Sequence, residues 1–217
     1  MKKSDVDLRN DILAELKWEP SVKETEIGVA VKSGVVTLTG YVDSFAEKWA
    51  AERATKRVSG VKAVAEEIQV KLPGLSERTD VDIARAAENA LAWNVWIPED
   101  RIKVIVERGW ITLEGDVDRQ YQRETAEDAV LHLTGVRGVS NDIKIKPAVS
   151  ASDVKAKIEA ALKRNAAIDA ERINVRATGS KVTLSGIVRS WAERDEASKA
   201  AWSAPGVLEV QNNVVIL

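Results

Sequence analysis

The sequence has no cysteine and a single histidine, His132. The first absence excludes disulfides, thiolate zinc sites, iron–sulfur clusters and cysteine nucleophiles. The second excludes the usual multi-histidine metal sites. No run of about 18 apolar residues occurs, so no transmembrane segment is expected. Neither charge sign dominates, with 32 Lys and Arg against 34 Asp and Glu in 217 residues. No polybasic run occurs, so nucleic acid is not an expected partner. Phe appears once and Tyr twice, but there are seven Trp, a residue enriched at interface cores. Groups for hard chemistry are scarce and no nucleophile–base set can be assembled, so no enzyme activity, cofactor or metal is expected. His132 has no second His or Cys to converge with. The neighbours Glu66 and Glu67 point to opposite faces of a strand, a poor acid–base pair. Gly34 to Gly40 lacks the Lys-Ser/Thr of a phosphate loop.

Met1-Lys2-Lys3-Ser4-Asp5 leads at once into an amphipathic pattern, without the apolar stretch of a secretory leader. The chain as it stands is expected in the cytoplasm, and in the periplasm if a leader has been removed.

Internal repetition organises what is present. Val36-Thr37-Leu38-Thr39-Gly40 recurs as Ile111-Thr112-Leu113-Glu114-Gly115 and as Val182-Thr183-Leu184-Ser185-Gly186, at offsets of 75 and 71 residues. Gly60-Val61 recurs at the same offsets as Gly135-Val136 and Gly206-Val207, as do Asp7/Asp82/Asp153, Leu16/Leu91/Leu162 and Ile27/Ile102/Ile173. Three modules follow, 5–72, 79–147 and 152–217, joined by short linkers rich in Pro, Gly and Ser.

Each module reads as helix, strand, strand, helix, strand. Leu8, Ile12, Leu13 and Leu16 fall at three- and four-residue spacing, an amphipathic helix. Asp7, Asp82 and Asp153 sit where an N-cap or first-turn carboxylate meets unpaired N–H groups. Ile27, Val29 and Val31 alternate with period two, as do Val36 and Leu38, predicting a hairpin at Ser33-Gly34. A second helix is expected from about Ser44 to Ser59, buried through Ala51, Ala54 and Val58, with Gly60 left-handed behind it. A last strand runs from Val64 to Lys71, brought in by a right-handed crossover. The fold class is α+β: tandem αββαβ modules, each with two helices on a three-stranded mixed sheet. A module of about 70 residues buries only ~60% of its unfolded surface, so docking between modules is expected to add stability.

The V-T-L-x-G segment is followed in helix two by Lys or Arg three residues before an Ala: Lys48/Ala51, Arg123/Ala126, Arg194/Ala197. Next comes Gly-Val-x-x-Val, from Gly60 to Val64, Gly135 to Val139 and Gly206 to Val210. An Asn two residues further stands at Asn141 and Asn212, where module one has Glu66. This pattern resembles the BON domain of the OsmY-type family and covers nearly the whole chain. The resemblance implies a non-catalytic binding module, often periplasmic, associated with envelope stress and proposed to bind phospholipid surfaces. Some members are cytoplasmic and linked to potassium, and a potassium site of backbone carbonyls leaves no mark in a sequence.

The tryptophans sort by module position. Trp18 and Trp93 are equivalent and are expected to pack on the following loop at Val22 and Ile97. Phe45 and Trp49 on helix two of module one, and Trp191 and Trp202 on that of module three, form stripes turned away from the alanine face. Two readings stand open: docking against a neighbouring module or partner, or contact with a membrane surface through Trp191 flanked by Arg189 and Arg194. Trp110 and Ile105 are expected together on the open side of the module two sheet, leaving Trp96 as a singleton. Basic and acidic residues number 12 and 12 in 1–75, 10 and 14 in 76–147, and 10 and 8 in 148–217, nets of 0, −4 and +2. Only module three is basic. The expected function is stress-associated binding to anionic phospholipid or envelope proteins, the alternative a chaperone-like or self-assembling protein scaffold.

Overall fold

The computed structural model describes residues 3–98, 100–146, 153–165 and 169–216. Module one contains α1 (Asp5–Trp18), β1 (Ile27–Lys32), β2 (Val35–Val42), α2 (Phe45–Arg57) and β3 (Ala63–Val70). Module two contains α3 (Asp80–Ala92), β4 (Ile102–Glu107), β5 (Trp110–Val117), α4 (Gln120–Leu131) and β6 (Gly138–Ile145). Module three contains α5 (Val154–Arg164), β7 (Ile173–Thr178), β8 (Lys181–Val188), α6 (Trp191–Trp202) and β9 (Glu209–Ile216). Each sheet runs in chain order, β1-β2-β3, β4-β5-β6 and β7-β8-β9. The first pair is antiparallel and the second parallel in modules two and three. This is the expected mixed sheet in tandem α+β modules.

Period and burial agree. Leu8, Ile12 and Leu16 are buried on α1, Ile83, Ala87 and Leu91 on α3, and Val154, Ile158 and Leu162 on α5. They pack on the central strand, where Ile111, Leu113, Val182 and Leu184 have no exposed surface. Ala126, Ala197 and Ala201 on the second helices are equally closed off, because a methyl side chain lets helix and sheet backbones approach. Gly60, Gly135 and Gly206 take positive φ as expected.

The hairpins are tied to the first helices. Asp5 accepts from the Ser33 and Gly34 amides at 2.7 and 3.1 Å, and Asp80 from the Arg108 and Gly109 amides at 2.8 Å each. Both turn residues have positive φ, so their N–H groups point to one side and form a cradle for a carboxylate. The helix caps are Ser4 and Thr79, which accept from the Asp7 and Asp82 amides.

Module three departs from this scheme. Ala151, outside the described residues, stands where modules one and two have Asp5 and Asp80. Its first helix begins at Val154, and Asp153 precedes it at φ 52 without a side-chain cap bond. The carboxylate expected to cap at Asp153 therefore does not. Asp80→Ala should lower module two stability by about 1–2 kcal/mol, two charge-assisted hydrogen bonds at a partly exposed site. Urea midpoints followed by amide exchange in β4 read the effect.

Two compact units emerge from the contacts: Met1–Thr39 with Ala51–Glu67 and Pro147–Leu217, and Gly40–Ala50 with Ile68–Lys146. Within the first, Ser59 donates to the Arg189 carbonyl at 3.0 Å and the Lys56 ammonium lies 5.4 Å from the centre of the Trp191 ring. Modules one and three thus touch through the end of one second helix and the start of another. Within the second unit, Phe45 packs on the core of module two.

Candidate binding surfaces

The basic residue of helix two and the Asn of strand three form a clasp. In module two the Arg123 guanidinium donates to the Asn141 carbonyl at 2.7 Å, while the Asn141 amide donates back to the Arg123 carbonyl at 2.9 Å and to Glu127 at 3.0 Å. In module three Arg194 donates to the Asn212 and Val214 carbonyls, and Asn212 donates back to the Arg194 carbonyl at 3.2 Å. In module one Lys48 reaches the Ile68 carbonyl at 2.7 Å. These bonds fasten the second helix to the third strand, which lies at the edge of the sheet.

Sequence reasoning passed over a second device, although its pattern is legible as a capping box. Ser44-x-x-Glu47 and Ser190-x-x-Glu193 place a hydroxyl on the N–H of the third helical residue, at 3.1 and 3.2 Å. The glutamates reach back to the Asp43 and Arg189 amides, and Glu193 also accepts from the Asp169 amide. Burial works to raise the Glu193 carboxyl, but the Arg189 and Asp169 amides together with the Arg189 guanidinium outweigh it and hold the group below its ordinary range. A depressed acid contributes stability above its unfolded pKa, and that contribution is lost as pH falls through the folded value. Module three should therefore lose stability on the acid side, and Glu193→Gln should flatten that slope in urea midpoints measured against pH.

The stripe residues Phe45, Trp49, Trp191 and Trp202 are all half-buried. Trp191 and Trp202 pack on the module three core. The Arg194 guanidinium lies 4.8 Å from the Trp191 ring centre, and the Trp191 indole N–H is enclosed without a protein partner. Arg189 is different: its side chain is 70% exposed, 3.6 Å from Glu193. Module two has Leu131 on the corresponding stripe, and it is buried.

On the open sheet of module two, Ile105 and Trp110 are each about half exposed. Strand register places Thr112 opposite Ile105 and Gly138 opposite Trp110, so both side chains share one face. The Trp110 ring lies across Gly138, where a Cβ would run into it, and its N–H donates to Ser140 at 2.9 Å. His132 is exposed at the end of α4.

Trp18 and Trp93 overturn the packing expectation: they are 82% and 91% exposed, while Val22 and Ile97 are buried without them. The reason is helical phase. Leu16 and Leu91 are the last core residues, and two residues further a helix has turned by about 200°, onto the opposite face. Trp96 is also exposed, at 61%, its ring meeting Tyr121 edge-on with centroids 6.1 Å apart.

Among the described residues no cluster of three or more His, Cys, Asp or Glu could hold a metal ion, and no helix is long and apolar enough to cross a membrane. The BON domain family matches residues 4–71, 79–147 and 150–217. Osmotically-inducible protein Y of Escherichia coli (strain K12) is 33% identical over 140 residues, 62% of this chain and 69% of that protein. A structure of CdsD, a structural protein of the type III secretion system of Chlamydia trachomatis, is 19% identical across 97% of this chain and 92% of its own, with a TM-score of 0.27.

Proposed function

The chain belongs to the BON-domain family, with three tandem OsmY-type copies, and on that premise we propose that it is a non-catalytic, stress-associated binding protein whose working contact is an anionic phospholipid surface. The relative named for osmotic induction supports the association with stress. The observation that carries the lipid contact is Arg189, a 70% exposed cation beside Trp191 on the only module of net positive charge. Lys56 and Arg194 already lie near the Trp191 ring. In this reading Trp191 and Arg194 hold the site in shape, and Arg189 meets the headgroup.

A basic residue near an anionic leaflet gains about 1 kcal/mol, so binding should be weak and salt-sensitive. Co-sedimentation with phosphatidylglycerol vesicles at low salt should exceed that with phosphatidylcholine and fade at high salt. Arg189→Glu should weaken it about tenfold, a charge reversal worth roughly 1–2 kcal/mol. Recovery of no protein with either lipid at low salt would sink the reading.

The second reading is a protein–protein contact, favoured by the Ile105–Trp110 pair on the open sheet. A concentration-dependent oligomer in sizing measurements, lost on Trp110→Ser, would favour it over lipid.

A further inference from the structure

The loop after α3 is built to hold apolar side chains in water. Leu91 and Ile97 anchor its two ends in the module two core. Between them the backbone turns tightly, with the Asn94 amide bonded to the Leu91 carbonyl at 3.1 Å and the Ile97 amide to the Asn94 carbonyl at 3.0 Å. The Asn94 side chain accepts from the Trp96 amide at 3.1 Å. On this fixed backbone Trp93, Val95 and Trp96 stand 91%, 89% and 61% exposed, and Tyr121 of α4 braces Trp96 from the side. Module one has Trp18, Pro20 and Ser21 at the loop positions, and module three has Arg164, Ala166 and Ala167 in sequence. Only module two presents a large apolar side chain at all three. An exposed cluster of this kind marks a contact site, and its rigidity lowers the ordering cost of binding.

Charge selects the occupant. Module two carries a net −4. Asp128, exposed, lies two turns along α4 from Tyr121 on the same stripe, and Glu88 is exposed on α3 before the loop. Of the nearby cations, Arg101 is paired with Asp116 and Asp118 and Arg123 is drawn into the clasp, while Arg119 stands beside Tyr121 and Arg85 is exposed one turn before Glu88 on α3. The chain already seats cations on aromatic rings, Lys71 over Tyr41 at 3.2 Å and Arg194 over Trp191.

We propose that the Trp93–Trp96 loop with Tyr121 is a docking site for a cationic amphipathic protein segment. Its apolar side chains seat on Trp93, Val95 and Trp96. Its Lys and Arg heads meet the ring faces and the Glu88 and Asp128 carboxylates. An anionic membrane is disfavoured here because the same carboxylates repel its headgroups. The site is independent of the module three surface.

Calorimetry on the full chain tests it, with an amphipathic helical peptide of Leu and Lys and a counterpart in which Glu replaces Lys. The Lys peptide should bind and the Glu peptide should not. Trp93→Ser with Trp96→Ser should weaken binding at least about tenfold, the loss expected of a hot spot. Glu88→Lys with Asp128→Lys should weaken it at low salt, and the difference should shrink at high salt. All four side chains are exposed, and unchanged circular dichroism certifies the variants as folded. Equal binding of both peptides, no binding of the Lys peptide, or undiminished binding by the tryptophan variant would overturn the proposal. So would vesicle binding, or self-association, that depends on these two tryptophans while the peptide is ignored.

Discussion

Replacing Gly115 by alanine should cost module two about 3–5 kcal/mol, enough to unfold a domain of this size. Gly115 sits at φ 136, outside the left-handed region that other residues tolerate. A Cβ there would also overlap the Arg101 carbonyl oxygen and come within 3.1 Å of its carbon. That neighbour is backbone, so no side chain can swing away. Gly186 meets the Arg172 carbonyl in the same manner, and Gly186→Ala should do to module three what Gly115→Ala does to module two. Gly179 supplies the control. It too has positive φ, 58, but nothing lies within 4 Å of its Cβ direction, so Gly179→Ala should cost only about 1 kcal/mol. Amide spectra resolve the modules separately. If Gly115→Ala leaves the β4 and β5 resonances in place and as well protected as before, this account of the V-T-L-x-G glycine fails.

The second large effect is expected at Asn141. Its side-chain NH2 donates to the Arg123 carbonyl and to the Glu127 carboxylate, and its oxygen accepts from the Ile143 amide at 3.4 Å. Asn141→Ala should therefore cost about 2 kcal/mol, the loss of hydrogen bonds in a partly buried site with one partner charged. Arg123 donates separately to the Asn141 backbone, which the alanine keeps. The two halves of the clasp hold the same helix against the same strand, so Arg123→Ala and Asn141→Ala together should depart from additivity by about 0.5 kcal/mol or more. Strict additivity in urea midpoints would reduce the clasp to two unrelated contacts. Asn212→Ala tests the same idea in module three, where Val214 replaces Ile143 as the donor.

These residues separate what was legible in the sequence from what was not. Leu8, Ile12 and Leu16, or Val36 and Leu38, reveal their faces because a single helix or strand repeats with its own period and the core takes one side. The Arg and Asn signatures were visible as recurrences, but their pairing joins residues 18 apart on different elements, and no local pattern carries that. For Trp18 and Trp93 the helical period continues past the last core leucine and carries both rings to the outer face. The Asp5 and Asp80 bridges leave no local pattern, because each carboxylate serves a turn 28 or 29 residues away.

The absences and the tryptophan surplus mark the division. By itself the sequence determined that the chain is three copies of one αββαβ design, with no cysteine and one histidine among them, because repeats, periods and missing residue types are properties of chain order alone. Only the tertiary structure decided which aromatics meet water. Trp191 has Lys56 and Arg194 beside its ring, while Trp93 and Trp96 are exposed, Trp96 touching only the edge of Tyr121 among the described aromatic rings. Exposure depends on what another element or module covers, and that surface is assembled only when distant segments pack.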